Sequence, residues 1–237
     1  SIRKLEGIDW NHFTDTEFFQ AAQRLANASA AGMDGWAPAE LKLLPFSCWT
    51  VRMRVEEAIL RDGVFPAAYY DAPITMLRKG DGLTPLQHRG ITVFAANYRL
   101  ANNALWARVA KPLAQYAHPN AHGGLPEHEC IMAALEAQLD FEQAALRGIE
   151  LAMVSADYAK FFDGFDPDFF YRLKKEVGVS EERARLVWHL NTFARKRFKI
   201  RGHYGDVIES DRGAGQGDTW SLIDAIIITT IQMEFLC

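Results

Sequence analysis

Apolar residues recur at helical spacing through most of the chain. Phe18, Ala21 and Leu25 share one face of the first such segment, and Thr14 with Glu17 has the form of a capping box ahead of it. Glycine and proline separate the later segments. The pattern predicts helices at about residues 15–27, 39–44, 50–61, 100–116, 128–146, 167–177, 181–194 and 218–237.

Extended segments alternate with these helices. The predicted strands cover residues 72–79, 88–94, 149–155, 196–204 and 207–210. The run at 149–155 is short and strongly apolar, which predicts a buried strand. Gly205-Asp206 separates the last two strands and predicts a hairpin turn. Strands mixed with a majority of helices predict a helix-rich α+β fold.

The composition is typical of a folded domain. The chain has 237 residues, of which 49% are hydrophobic and 24% charged, enough to bury a core in one large domain or two lobes. The formal net charge of −4 argues weakly against a nucleic-acid binder. An acidic exterior can nevertheless surround a basic groove.

The sequence shows no secretory signal and no membrane span. The longest apolar stretch, residues 223–236, is interrupted by Asp224, Gln232 and Glu234. Three cysteines in no zinc-binding spacing predict reduced thiols in a reducing compartment. Because the chain begins with Ser1 and not with Met, we expect a processed protein or a fragment.

The apolar run at 149–155 leads into the candidate metal ligand, Asp157. A carboxylate at the end of a strand can bind Mg²⁺, which prefers oxygen ligands, and the carbonyl of Tyr158 could add another. The alternative is a turn aspartate that caps the local backbone. Phe162 could close the space under the sugar of an incoming nucleotide and exclude a 2′-hydroxyl. The alternative is a core residue, as for its neighbour Phe161.

A glycine-rich segment precedes the last predicted helix. Gly213, Gly215 and Gly217 let the backbone approach a ligand closely, and the flat amide of Gln216 both donates and accepts hydrogen bonds. Such a loop could hold a nucleotide or a primer–template pair. The alternative is a glycine turn that feeds a helix capped by Asp218.

Two groups of basic residues are candidate phosphate ligands. Lys79 and Arg89 lie on adjacent extended segments and could grip a triphosphate, or they are ordinary surface charges on a solvated hairpin. Residues 195–201 could follow a phosphate backbone, or they form an exposed strand. The basic residues of this second group are Arg195, Lys196, Arg197, Lys199 and Arg201.

Five short blocks, taken in order, resemble the reverse transcriptase domain of non-LTR (LINE-like) retrotransposons and group II intron-type enzymes. They are AGMDGWAPAEL at 31–41, LRKG through HRGI at 77–91, HGG at 122–124, DYAKFFD at 157–163 and GAGQGDTWSL at 213–222. The fourth is similar to the family's DxxKAFD, and the fifth to its GVPQGSPLSP. The order of the blocks along nearly the whole chain carries the resemblance.

The resemblance implies a fingers-and-palm polymerase fold that carries out RNA-dependent DNA synthesis with Mg²⁺. Residues 1–150 would form the fingers-like region with palm-supporting helices, and residues 151–237 a partial palm.

The resemblance also assigns roles to single residues. Asp157 would be the catalytic metal ligand, Phe162 the sugar gate and Gln216 a nucleotide or template contact. Lys79 and Arg89 would face the triphosphate.

The chain departs from the family where the chemistry is most demanding. No Asp-Asp pair occurs in its 237 residues, so a two-ion site would rest on Asp157 alone and would be incomplete. Glu127 and Glu129 stand where the family is basic, and Gly215 replaces the usual proline before Gln216. We therefore expect a domain truncated before the paired-aspartate block and thumb, without polymerase activity of its own.

Three functions are open at this point. The first is a reverse transcriptase fragment with RNA or DNA partners. The second is a non-catalytic subunit whose protein partners cover an exposed apolar face of the last helix. The third is a metal-dependent hydrolase that uses Asp157 and Asp163. The apolar face in question carries Ile226, Ile227, Ile231 and Phe235.

Overall fold

The chain folds into an α+β structure in which helices surround a small mixed sheet. The computed structural model describes residues 2–81, 84, 87–154, 158, 161–209 and 212–236. The helices of this part are α1 Asp15–Arg24, α2 Pro38–Lys42, α3 Ser47–Asp62, α4 Ala96–Tyr116, α5 Cys130–Arg147, α6 Pro167–Glu176, α7 Glu181–Phe193 and α8 Thr219–Leu236. The strands are β1 Asp71–Arg78, β2 His88–Thr92, β3 Arg195–Ile200 and β4 His203–Tyr204. No helix in the described residues is long and apolar enough to cross a membrane.

The sheet has the order β2-β1-β3-β4. β2 pairs antiparallel with β1, with Ile74 opposite Thr92 and Leu77 opposite Arg89. β3 joins the other edge of β1 in parallel, so the chain between them crosses over through helices. The strands predicted at 72–79 and 88–94 are thus confirmed as β1 and β2.

The hairpin predicted between residues 196–204 and 207–210 is wrong. β3 pairs with β4 inside the first of these segments, and Ile208 makes only an isolated antiparallel bridge to Lys196 among the described residues. β3 and β4 are joined at Arg201 and Gly202, whose φ angles are +50° and +84°, and not at Gly205-Asp206. Two successive positive φ angles match the twist of antiparallel strands, and glycine at the second position adopts one without steric cost.

The buried strand predicted at 149–155 is wrong in its described part. Residues 149–154 are irregular and exposed, and the Val154 side chain is 92% accessible. None of the four described strands pairs with this segment. An apolar run becomes a strand only when a neighbouring strand satisfies its backbone groups and a packed layer covers its side chains.

The core is organised around α4, the longest helix in the described residues. Its Leu100, Leu105 and Val109 are fully buried. α8 packs against it, so Ile226 and Ile227 are buried as well. The expectation that these two residues are exposed on the last helix is therefore wrong.

Two helix starts show how the sequence sets local structure. The Thr14 side chain accepts from the Glu17 N–H at 3.2 Å while the Glu17 carboxylate accepts from the Thr14 N–H at 2.8 Å, which confirms the capping box. α4 begins at Ala96, earlier than the predicted residue 100, because Asp34 caps it from a distant part of the chain. The Asp34 carboxylate accepts from the N–H groups of Ala96 at 2.9 Å and Asn97 at 3.0 Å.

Candidate functional site

The glycine-rich loop, residues 212–218, lies against the outer edge of β2. The N–H of Thr92 donates to the main-chain carbonyl of Gln216 at 3.1 Å. A Cβ on Gly215 would stand 2.4 Å from the ring of Phe94, so only glycine fits there without a shift of that buried ring. Gly217 has a φ of +101°, a conformation that favours glycine. The glycines thus allow close contact between the loop and the strand.

The other side of this loop contacts the short helical turn Phe161–Gly164 and its flank. Ala214 N–H donates to the Phe162 carbonyl at 3.0 Å, and Gly213 N–H donates to the Phe165 carbonyl at 2.7 Å. The loop is therefore held between β2 and the segment that contains Phe162. Two of the blocks that carry the family resemblance meet here.

Arg89 lies on the same side of β2 as part of the loop. A Cβ on Gly217 would lie 3.4 Å from Cγ2 of Ile91. Because side chains two apart on a strand share a face, Ile91 and Arg89 point to the same side. Lys79 follows β1 directly, and its N–H donates to the Gln87 carbonyl at 2.7 Å. Both cations are exposed and lie on adjacent antiparallel chain segments.

Only part of the candidate metal site lies within the described residues. Asp157 lies outside the described residues, so its position relative to Gln216 stays a prediction. Phe162 is half-buried and packs on Phe165 with ring centroids 5.6 Å apart, which is compatible with both a core role and a wall of the site. Within the described ranges, no group of three His, Cys, Asp or Glu side chains could hold a metal ion.

The basic residues at 195–201 fall into two groups that differ in their contacts. Arg195 donates to both oxygens of Asp71 at 2.9 Å, and this guanidinium holds the pKa of Asp71 below its usual range. Lys196 donates to the carbonyls of Arg212 and Gly213 at 3.2 and 3.1 Å and so fastens the glycine loop. Both side chains are thus engaged by partners within the chain, although Arg195 itself is exposed.

The remaining basic residues of this group make looser contacts with the described residues. Arg197 approaches Asp71 only at 3.7 Å, and Lys199 lies over the ring of Tyr204 at 5.4 Å. Arg201 is exposed in the hairpin turn. A nucleic-acid contact on this strand would rest mainly on these three.

A polar cavity of about 210 Å³ adjoins the loop. Arg24, Arg99 and Asn103 line it together with Gly217 and Asp218. The sequence did not single out Arg24 and Arg99, because the apolar faces of α1 and α4 explain the helical pattern there without them. No local signal indicated that both side chains would line one cavity beside the glycine loop.

Asp218 is another residue whose environment could not be anticipated from the sequence. Its carboxyl is buried and accepts hydrogen bonds from the Tyr98 hydroxyl at 3.0 Å and from Asn102 Nδ2 at 2.8 Å. Burial raises the pKa of Asp218 to about 7, because the charged form loses its hydration. Asp218 was visible in the sequence only as a helix cap.

Comparison of the chain with protein-family models and with curated proteins finds no match in either.

Proposed function

We propose that this chain is a reverse-transcriptase-like domain that binds nucleic acid and nucleotide phosphates along β2 and the glycine loop. The observation that carries the proposal is the hydrogen bond from Thr92 to Gln216. It joins segments more than 100 residues apart in the sequence and brings the glycine loop to the strand that carries Arg89, which supports the proposal.

The charges around this contact suit a phosphate ligand. Several cations here form no ion pair with any described residue, namely Lys79, Arg89 and Arg24. Arg99 donates to the carbonyl of Ala30 and to no described carboxylate. Cations without a carboxylate partner are available to phosphate oxygens. Together these cations would form a local cationic surface on a chain whose net charge is −4.

Mg²⁺ chemistry is not part of this proposal. The resemblance implies a two-ion centre, but the chain has no adjacent aspartates to complete one. Asp163 is exposed beside the loop, with its carbonyl oxygen 3.4 Å from the position of a Cβ on Gly213, and no second described carboxylate joins it in a metal-binding group. The carboxylates among the described residues do not fit a two-ion centre, and the proposal is therefore one of binding and not of polymerisation.

Fluorescence anisotropy with a labelled single-stranded RNA, titrated at several salt concentrations, tests the proposal. Replacing both Lys79 and Arg89 by Ala is expected to weaken binding at least tenfold. It should also reduce the salt slope by about 1.4, because each phosphate neutralised on a single strand contributes roughly 0.7 to that slope. Arg147→Ala, an exposed cation at the end of α5, is the matched control and should change binding less than twofold.

Equal losses of affinity in the double variant and the control would contradict a site at β2. So would binding that does not weaken as salt is raised, since phosphate contacts release counterions.

A protein-interaction role is the second candidate, and α5 favours it. No residue of this 18-residue helix is buried, although it carries several large apolar side chains. The exposed ones are Ile131, Met132, Leu135, Leu139, Phe141 and Leu146. The apolar segment 149–154 continues this surface, which is larger than a lone exposed side chain explains. Absence of nucleic-acid binding in the titration above would favour this function.

A further inference from the structure

An open cavity of about 440 Å³ lies between α2, α3 and the start of α4. Its walls are mostly apolar, with Trp36, Leu41, Leu44 and Val55 among them. Its volume falls within the range of small-molecule sites, about 300 to 1,000 Å³. The cavity takes no part in the proposed nucleic-acid surface, so a ligand bound here would be independent of that surface.

One wall of the cavity is formed by Arg52, which belongs to a buried ionic triad. Arg52 Nη2 lies 3.1 Å from Glu56 Oε2, and Arg183 Nη1 lies 2.7 Å from Glu56 Oε1. The side chains of Arg52, Glu56 and Arg183 are only 8%, 2% and 4% exposed. Burial acts to raise the pKa of Glu56, but the two guanidinium groups outweigh it and hold that pKa below its ordinary value.

The triad therefore carries two positive charges and one negative charge. No other described carboxylate lies within ion-pair distance of Arg52 or Arg183. The rings of Phe18 and Phe13 lie 4.7 Å from Arg52 Cζ and 5.3 Å from Arg183 Cζ and offset part of the lost hydration. A buried charge without a counterion nevertheless remains expensive. The excess positive charge lies directly behind the cavity wall.

Unpaired hydrogen-bond donors accompany this charge. Arg52 Nη2 reaches Glu56 and the Asn97 carbonyl, but its Nε and Nη1 are buried without an acceptor among the described residues. Trp49, which also lines the cavity and is 1% exposed, has a buried indole N–H without an acceptor there. Buried donors without acceptors are rare in folded proteins, and two residues with such donors line this one cavity.

Tyr69 adds a neutral hydroxyl to the same wall. Burial raises the pKa of Tyr69 to about 12, so the hydroxyl keeps its proton at neutral pH and can donate it in a hydrogen bond.

We propose that this cavity binds a small free carboxylic acid with an apolar body. Its carboxylate lies at the wall formed by Arg52 and Tyr69, and its apolar body packs against Leu41, Leu44 and Val55. One negative charge matches the one excess positive charge. A polyanion such as phosphate would have to desolvate further charge against apolar walls, and a neutral apolar compound would leave the donors unpaired.

Isothermal titration calorimetry with hexanoate, using hexanol and inorganic phosphate as comparison ligands, tests the proposal on the full chain. Hexanoate is expected to bind at least tenfold more tightly than either comparison ligand. Comparable binding of hexanol would show that charge plays no part and would overturn the proposal, as would the absence of hexanoate binding.

A pair of variants tests whether hexanoate enters this cavity, without disturbing the triad. Val55→Phe should fill the cavity and weaken hexanoate binding at least tenfold. Val64→Phe places the same enlargement at another exposed valine, outside the cavity, and should leave binding unchanged. Unaltered binding in Val55→Phe would place the acid elsewhere and overturn the assignment. Melting temperatures of both variants report whether each is folded.

Discussion

At the scale of single residues, Asp218 couples the site to the core. Its carboxyl is buried between Tyr98 and Asn102 of α4, while its neighbour Gly217 belongs to the loop surface. Asp224, further along the chain in α8, is also buried and lies 2.6 Å from the Lys174 ammonium. Burial raises the pKa of Asp224, and the Lys174 charge opposes that rise. Two carboxyls six residues apart thus depend on partners from different elements.

The raised pKa of Asp218 predicts a pH-dependent stability. Between its unfolded value of 3.8 and its folded value of about 7, the folded state holds the proton and the unfolded chain does not. The free energy of unfolding should therefore fall as pH rises through this window, by up to about 4 kcal/mol at ~1.4 kcal/mol per pKa unit. Urea denaturation of wild type and Asp218→Asn between pH 4.5 and 8 measures it. The variant should lose most of this slope.

The difference between the pH profiles of wild type and Asp218→Asn reports on Asp218, because Asp224 and the other titrating groups are present in both proteins. Asp206→Asn, at an exposed position, is the matched control and should keep the wild-type slope. Parallel pH profiles for wild type and Asp218→Asn would contradict a raised pKa at this carboxyl.

At the scale of elements, the start of α4 depends on the block at residues 31–41. The Asp34 carboxylate accepts two main-chain N–H groups and the side-chain amide of Asn97 at 3.1 Å. A Cβ on Gly32 would lie 2.4 Å from the Cα of Ala95, so this segment packs backbone against backbone. The block that resembles a family motif therefore has a structural role here.

Loss of this cap is expected to destabilise the protein. Asp34→Ala should lower the free energy of unfolding by about 1 to 2 kcal/mol, the usual cost of removing a helix cap. Asp34→Asn keeps an acceptor oxygen and should lose less. Guanidinium denaturation measures both, with Asp81→Ala at an exposed position as the control. Equal stability of Asp34→Ala and Asp81→Ala would show that the cap contributes nothing.

At the scale of the whole molecule, the proposed phosphate surface does not depend on a metal centre. Metal-assisted nucleotidyl transfer needs several carboxylates around two ions, and the 237 residues contain no adjacent aspartate pair. The cations and the glycine loop of the proposed surface do not share that requirement. We therefore propose that binding and catalysis are separate properties of this chain.

We accordingly expect no primer extension by the 237-residue protein on RNA or DNA templates with Mg²⁺. A missing pair of metal ligands should cost several kcal/mol of transition-state stabilisation. A labelled-primer assay with wild type and Asp157→Ala measures it, and both should show only background. Robust synthesis that disappears in Asp157→Ala would show that a complete metal site forms around Asp157.

Local patterns along the chain were sufficient for much of the fold. The helical period predicted the helices, Thr14 and Glu17 marked the first cap, and the extended segments became β1 and β2. These features depend on residues a few positions apart, whose spacing alone determines which face is apolar and which hydrogen bonds close.

The remaining features depend on contacts between distant segments, which no local pattern records. Asp34 sets the start of α4 from 62 residues away, and the Thr92–Gln216 hydrogen bond unites the candidate site. Residues 149–154 have the composition of a buried strand but gain no partner among the described strands, so their apolar character did not decide their structure. The charge excess at Arg52 likewise exists only because the folded chain brings a second arginine to Glu56. Hydrogen-bond partners, burial and charge balance are properties of the assembled chain, and they decided what the local sequence left open.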